Sequence, residues 1–254
     1  QKSNSKKSNK FENQNSFNLT NNYVTDFTGY TNYKNESSIL DIYVDGENTL
    51  EINAGQDGYI VINPCPFYAE SGGQIGDIGY IKNKNLNFKV VDTQNREGNI
   101  SHIGFLESGK IKLGDKVIAE IDCDRRLKIK SNHTATHLLH ESLKQVLGDH
   151  VQQSGSLVTN EKLRFDLTHY EKITNNQIIE IENKINKIIR ENYNVSTTIQ
   201  NFEEARENGA IALFGEKYDD KVRVVDIPGF SMELCGGTHV ERTGDIGVFK
   251  IVSE

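Results

Sequence analysis

The chain has 254 residues, with 29 Lys and Arg against 36 Asp and Glu, a formal net charge of −7, and 35% hydrophobic residues. That length suits two domains, or one large one, with a full core, and no uninterrupted apolar run approaches the ~20 residues that cross a bilayer. Three cysteines, Cys65, Cys123 and Cys235, cannot form a disulfide framework and fit a reducing compartment.

The sequence begins at Gln1, and Met232 is its single methionine, so it reads as a piece of a longer chain without a signal segment. Residues 1–22 hold seven Asn, four Ser and four Lys, with Phe11, Phe17 and Leu19 as the large apolar groups. Such a composition cannot repay the entropy of ordering, and residues 1–25 are expected to be a disordered linker or tail.

From Ser38 onward, short β-rich runs alternate with turn residues. Strands are predicted at Ile39–Val44, Tyr59–Ile62, Gly79–Lys82, Phe88–Asp92 and Lys116–Ile121, with hairpin signals at Asp45-Gly46, Asp57-Gly58 and Glu97-Gly98-Asn99. Residues 26–123 therefore read as a small β-barrel or sandwich domain. The pattern changes near Cys123: helices are predicted over Asp124–Leu147, Thr174–Asn192 and Phe202–Glu207. Strands are predicted at Val151–Val158, Leu163–Leu167, Val195–Ile199, Val222–Ile227 and Gly247–Val252. Residues 124–254 thus form a second domain, and the fold class is α+β.

In the helix from Arg125, the apolar residues Ala135, Leu138, Leu139, Leu143, Val146 and Leu147 make one stripe. At about 100° per residue, His133, His137 and His140 project to the opposite side. Two imidazoles at i and i+4 suit one metal ion, as in zinc proteases, but Thr134 stands where those enzymes place a general-base Glu. By itself the pair also fits solvent-exposed histidines. Near the C-terminus, Cys235-Gly236-Gly237-Thr238-His239 adds a thiolate and a third imidazole, and the glycines let the backbone turn both side chains inward. The predicted zinc ligands are His133, His137, Cys235 and His239. An imidazole-rich set favours hydrolysis, and a closed structural site is the alternative.

Residues Pro66 to Gly79 include Gly72, Gly73, Gly76 and Gly79 without the Lys-Ser/Thr pair of a P-loop or a following helix. They read as barrel turns or as a backbone surface that a ligand can approach closely. Arg125, Arg126, Lys128 and Lys130 precede the histidines in an otherwise acidic chain. Such a run is either a solvated face or a cradle for the phosphates of a nucleic acid end.

These segments together resemble the editing region of alanyl-tRNA synthetases. The resemblance rests on Phe27-Thr28-Gly29-Tyr30, the stretch from Pro66 to Gly79, Arg125-Arg126, Asn132 through His140, and Gln153 through Val158. It continues through Leu163-Arg164-Phe165-Asp166, Ala212 to Tyr218 and Glu233 to Thr243. Threonyl-tRNA synthetases and free-standing alanyl-tRNA editing proteins share the metal-ligand pattern. The resemblance implies a β-barrel followed by an α+β editing domain that binds Zn2+. Its implied activity is cleavage of Ser or Gly wrongly esterified to tRNA(Ala), errors that an alanine pocket limits by only about 100-fold for an added hydroxyl.

It further implies Gln153 as a residue that hydrogen-bonds substrate, and contact of the tRNA acceptor end with Gly72, Gly73, Gln74, Asp77, Arg125, Arg126 and Lys128. The family usually has Thr where Cys65 stands, so recognition of the serine hydroxyl is expected to be altered at Cys65 or supplied by Thr134 or Thr136; alternatively Cys65 is a small buried residue. ATP would be used only by the parent ligase, since no ATP-binding signature is present. The expected setting is the cytoplasm or an organelle. A free-standing deacylase and a non-catalytic tRNA-binding module with structural zinc are the competing readings.

Overall fold

The computed structural model describes Tyr23 and residues 25–96, 98–212 and 218–254. Most of the expected tail lies outside the described residues. Two compact units divide the chain: one runs to Glu70 and resumes over Gly76–Cys123, and the other comprises Ser71–Ile75 and Asp124–Glu254.

In the first unit, alternating apolar residues build β1 (Lys34–Val44), β2 (Glu47–Asn48), β3 (Glu51–Asn53), β4 (Asp57–Asn63) and β5 (Gly79–Lys82). They continue through β6 (Asn87–Arg96), β7 (Asn99–Ser108), β8 (Lys110–Lys112) and β9 (Lys116–Ile121). Six strands close a ring in the order β1-β4-β7-β6-β5-β9 and back to β1, all antiparallel. Closure leaves no unpaired edge in the ring. Ile42, Ile60, Ile62, Phe67, Phe88 and Leu106 fill its interior, each contributing about 1.5–3 kcal/mol by leaving water. The Asp45-Gly46 signal is a two-residue hairpin turn with φ of 52° and 85°, as its strand twist requires.

Two details differ from the sequence reading. Asp57-Gly58 is no turn but lies within β4, where a Cβ on Gly58 would sit 2.7 Å from the Tyr43 carbonyl. The sequence also predicts no strand over Asn99–Ser108. Its buried positions mix polar and small residues with apolar ones and break the alternation: Asn99, Ser101 and His102 are buried beside Ile103 and Leu106, and a Cβ on Gly104 would lie 1.9 Å from the Lys89 carbonyl.

The second unit begins with α1 (Cys123–Leu147), followed by the antiparallel hairpin β10 (Gln153–Val158) and β11 (Leu163–Leu167). Ser71–Ile75 joins this hairpin: Val158 N–H donates to Gly73 O at 2.7 Å and Ile75 N–H to Val158 O at 3.2 Å. Helix α2 (Asn175–Glu191) starts at a capping box between Thr174 and Gln177 and ends at Asn192 in the left-handed region, φ 57°. Then come β12 (Ser196–Asn201), α3 (Phe202–Glu207), β13 (Lys221–Ile227) and β14 (Ser231–Leu234), the strands forming an antiparallel sheet in chain order. Leu138, Leu139 and Leu143 of α1 share one core with Ile181, Ile185 and Ile188 of α2.

The predicted strand at Gly247–Val252 is absent. Its alternating apolar residues instead lie along α2, whose side chains supply the missing ladder. Asn186 donates Nδ2–H to Phe249 O and accepts Phe249 N–H, both at 2.9 Å, while Glu182 accepts Ile251 N–H at 2.8 Å. Among the described residues no helix is long and apolar enough to cross a membrane.

Candidate metal centre

Helix α1 is buried on two sides in its middle turns. Its apolar stripe enters the core, and the opposite side, which carries the histidines, is buried too: His133, His137 and His140 are all largely inaccessible. Cys235 and His239 come from the loop after β14. Arg223 on β13 clamps that loop, donating Nη1–H to the Cys235 and Gly237 carbonyls at 2.9 and 2.8 Å. Gly237 must lack a side chain, because a Cβ there would lie 2.0 Å from the His133 ring.

One donor atom from each of His133, His137, Cys235 and His239 lies within 4.8 Å of all the others. Cys235 Sγ is 3.4 Å from His133 Nε2 and 3.3 Å from His239 Nε2. Each imidazole meets a separate acceptor at its far nitrogen. His133 Nδ1 donates to Gln74 Oε1 at 2.7 Å, and His239 Nδ1 lies 3.2 Å from Thr134 Oγ1. His137 Nδ1 is 3.2 Å from Glu233 Oε2, an ion-pair distance without hydrogen-bond alignment. The hydrogen-bonding partners of His133 and His239 fix their tautomers and aim the other nitrogen inward.

Burial disfavours every charge here, yet the charges support one another. It raises the Cys235 thiol, but His133 and His239 reverse this and hold it well below its usual value. Burial also opposes the charge of His137, which the Glu233 carboxylate and Cys235 nonetheless lift to about 10. Against burial, His137 and His140 keep Glu233 well below the usual carboxylate range. His239 is pressed down to about 3 by burial despite the neighbouring Cys235 sulfur. A metal ion requires a deprotonated thiol and neutral imidazoles; Cys235 and His239 are held in those forms, and an ion would displace the proton that His137 carries without it, so the four residues fit one.

The other sequence-predicted residues divide. Gln74, expected as a tRNA contact, is fully buried: besides His133 it accepts Thr238 N–H at 2.9 Å and donates to Thr238 Oγ1 at 3.0 Å. Its side chain is thus committed to the centre. Thr134, expected to sense substrate, is buried and also accepts Val240 N–H at 3.2 Å. Gly73 lacks a side chain for packing, since a Cβ would meet Ser156 Oγ at 2.2 Å, whereas Gly72 faces open space. Arg126 is 0% exposed and Lys130 is buried, so the basic run is no continuous solvated face; Lys128 is exposed and Arg125 half-buried. Gln153 is half-buried at the start of β10, opposite Leu167. Of the Ala212–Tyr218 segment, residues 213–217 lie outside the described residues.

In the first unit, Asp77 is buried and accepts Tyr68 N–H at 2.8 Å, which removes its carboxylate from the surface where a tRNA contact was expected. Cys65 is 0% exposed within the barrel core. His102 Nδ1 donates to Ile60 O at 2.8 Å, leaving Nε2, 3.2 Å from Cys65 Sγ, to accept the thiol proton. This burial matches the reading of Cys65 as a small core residue. Sequence reasoning missed Glu233, Gln74 and Arg223 as supports of the centre; Glu233, two residues before Cys235, was the one with a positional signal.

Comparison with known proteins places these features. The family of tRNA synthetases class II (A) matches residues 1–125, and the threonyl and alanyl tRNA synthetase second additional domain matches residues 222–254. An alanine–tRNA ligase of Neisseria meningitidis serogroup C / serotype 2a is 49% identical over 231 residues, 91% of this chain and 26% of the relative. One from a Thermoanaerobacter species is 50% identical over 230 residues, with the same coverage. The chain spans about a quarter (26%) of the length of these relatives. It belongs to the alanyl-tRNA synthetase family, in the part that carries the second additional domain shared with threonyl-tRNA synthetases.

Proposed function

We propose that the second unit is a Zn2+-dependent aminoacyl-tRNA deacylase that cleaves Ser and Gly wrongly esterified to tRNA(Ala), within a ligase that attaches alanine using ATP through segments beyond this chain. The observation that carries this reading is the convergence of three imidazoles and one thiolate on one buried point. A tetrahedral zinc with bonds of about 2.3 Å to sulfur and about 2.05 Å to nitrogen needs an S···N edge of about 3.6 Å; the 3.3 and 3.4 Å separations come close.

His133, His137, Cys235 and His239 would hold the ion, which supplies Lewis acidity to the ester carbonyl or to water. Gln74 and Thr134 act as positioning residues, each hydrogen-bonded to one imidazole, and Glu233 acts through its charge on His137 and its 3.3 Å contact with His140. Arg223 keeps the Cys235 loop in place. Gln153 is the residue we assign to the aminoacyl group, and Gly72, Arg125 and Lys128 to the tRNA acceptor end. The test is to compare cleavage of Ser-tRNA(Ala) and Ala-tRNA(Ala) with zinc quantified in the same sample. Faster loss of serine supports the reading, and equal rates oppose its specificity.

A second reading follows from the four protein donors themselves: a closed tetrahedron is typical of structural zinc. In that case the chain binds tRNA with one zinc per molecule and cleaves neither ester.

A further inference from the structure

Helix α1 carries a third imidazole, His140, outside the set of four donors. His137 and His140 lie three residues apart and so face the same way along the helix, and both meet one carboxylate. Glu233 Oε2 is 3.2 Å from His137 Nδ1 and 3.3 Å from His140 Nδ1. The other carboxylate oxygen, Oε1, accepts Ser231 Oγ–H at 2.9 Å. Ser231 and Glu233 stand two residues apart on β14, on one face of the strand. We propose that His140 is a positioning residue for the metal centre, which together with Ser231 holds the Glu233 carboxylate at the outer nitrogen of His137. The inference rests on the proposed binding of an ion by His133, His137, Cys235 and His239, and not on ester cleavage.

Two contacts of similar length differ in kind. His140 Nδ1 is aligned to donate to Oε2, whereas His137 Nδ1 is buried without a hydrogen-bond partner. The carboxylate is therefore anchored by Ser231 and His140, and His137 is the imidazole it is held against. An ion on His137 Nε2 leaves Nδ1 as the nitrogen that carries the proton, and Oε2 is the acceptor within reach; one carboxylate oxygen has lone pairs for both imidazoles. Ser231, Glu233, His137 and His140 are all buried, so water competes little for these contacts. The His140 ring is itself fixed, with its centroid 5.3 Å from that of Phe165 on β11. Filling the core would need only the volume of that ring; the directed Nδ1 contact adds a restraint on where Oε2 lies.

The experiment measures the zinc affinity of the full chain by competition with a chelator, in the parent and in His140→Leu, His140→Asn and His140→Gln, together with urea unfolding of the metal-free proteins. The amide nitrogen of Asn is bonded to Cγ, as Nδ1 of His is, so His140→Asn keeps a donor beside Glu233; the amide nitrogen of Gln lies one atom further out. His140→Leu and His140→Gln are expected to bind zinc about tenfold more weakly. His140→Asn is expected to stay within about threefold of the parent, although it leaves the larger void and destabilises the metal-free protein more than Gln does. Zinc affinity that follows metal-free stability instead, with Asn below Gln, overturns the proposal. A parent chain that takes up no zinc sinks the metal reading and this role with it, whereas a parent that binds zinc with all three variants within twofold of it sinks the role of His140 alone.

Discussion

Gln74 and His133, 59 residues apart in sequence, are joined by a 2.7 Å hydrogen bond from imidazole Nδ1 to amide Oε1. The bond leaves Nε2 of His133 facing Cys235 Sγ. Replacing Gln74 with Leu removes the acceptor and strands the Thr238 N–H as well. Zinc affinity, measured by competition with a chelator, is expected to fall by about 10- to 100-fold. Gln74→Glu keeps an acceptor for His133 and is expected to lose less. An unchanged affinity in Gln74→Leu would remove Gln74 from the support of the centre.

Gly73 and Gly72 separate backbone freedom from packing. Both have positive φ, 82° and 57°, which costs a substituted residue about 1–2 kcal/mol. Only Gly73 also faces Ser156, where an added Cβ would lie 2.2 Å from the hydroxyl oxygen and 2.7 Å from the carbonyl oxygen. Gly73→Ala is expected to lower stability by about 3 kcal/mol or more and Gly72→Ala by about 1 kcal/mol, read from urea unfolding of the two variants.

His102 gives the barrel an acid-sensitive component. Burial, against the Ile60 carbonyl, lowers its pKa from 6.5 to about 4. The folded state therefore keeps the ring neutral over a range in which the unfolded chain binds a proton. Stability is unaffected above pH 6.5, falls between pH 6.5 and about 4, and levels off below. The total loss is about 3 kcal/mol. His102→Gln should flatten this limb of the stability–pH curve; an identical slope in the variant would show that other groups set it.

The C-terminal segment depends on one side chain of α2. Asn186→Ala removes both hydrogen bonds to the Phe249 backbone, and unsatisfied buried groups of this kind cost about 1–3 kcal/mol each. In hydrogen exchange the Phe249 amide is expected to lose protection while that of Ile185 keeps it. Equal protection in variant and parent would mean that the Phe249 ring, not Asn186, holds the segment.

These residues also explain what sequence could convey. The candidate metal ligands were legible because His133 and His137, like Cys235 and His239, each lie four residues apart, a local spacing with a direct chemical meaning. The strands around Ile60 and Ile81 were legible from apolar alternation. Gln74 was not, because its role exists only once Ser71–Ile75 is paired with Val158. Nor was the burial of Arg126, a residue type that composition places at the surface. Val248-Phe249-Lys250-Ile251 reads as a strand, and only tertiary structure reveals that helix side chains replace its neighbours. Strand β7 was hidden for the converse reason: its buried residues include Asn99, Ser101 and His102, which carry no apolar signal.

The central claim, that one zinc at His133, His137, Cys235 and His239 supports ester cleavage, is tested most directly by titrating zinc into metal-free protein while following Ser-tRNA(Ala) hydrolysis. The rate is expected to rise linearly and stop at one equivalent, with Cys235→Ala showing neither tight binding nor the rise. Full activity in the metal-free protein, or one tightly bound zinc without any cleavage, would contradict it.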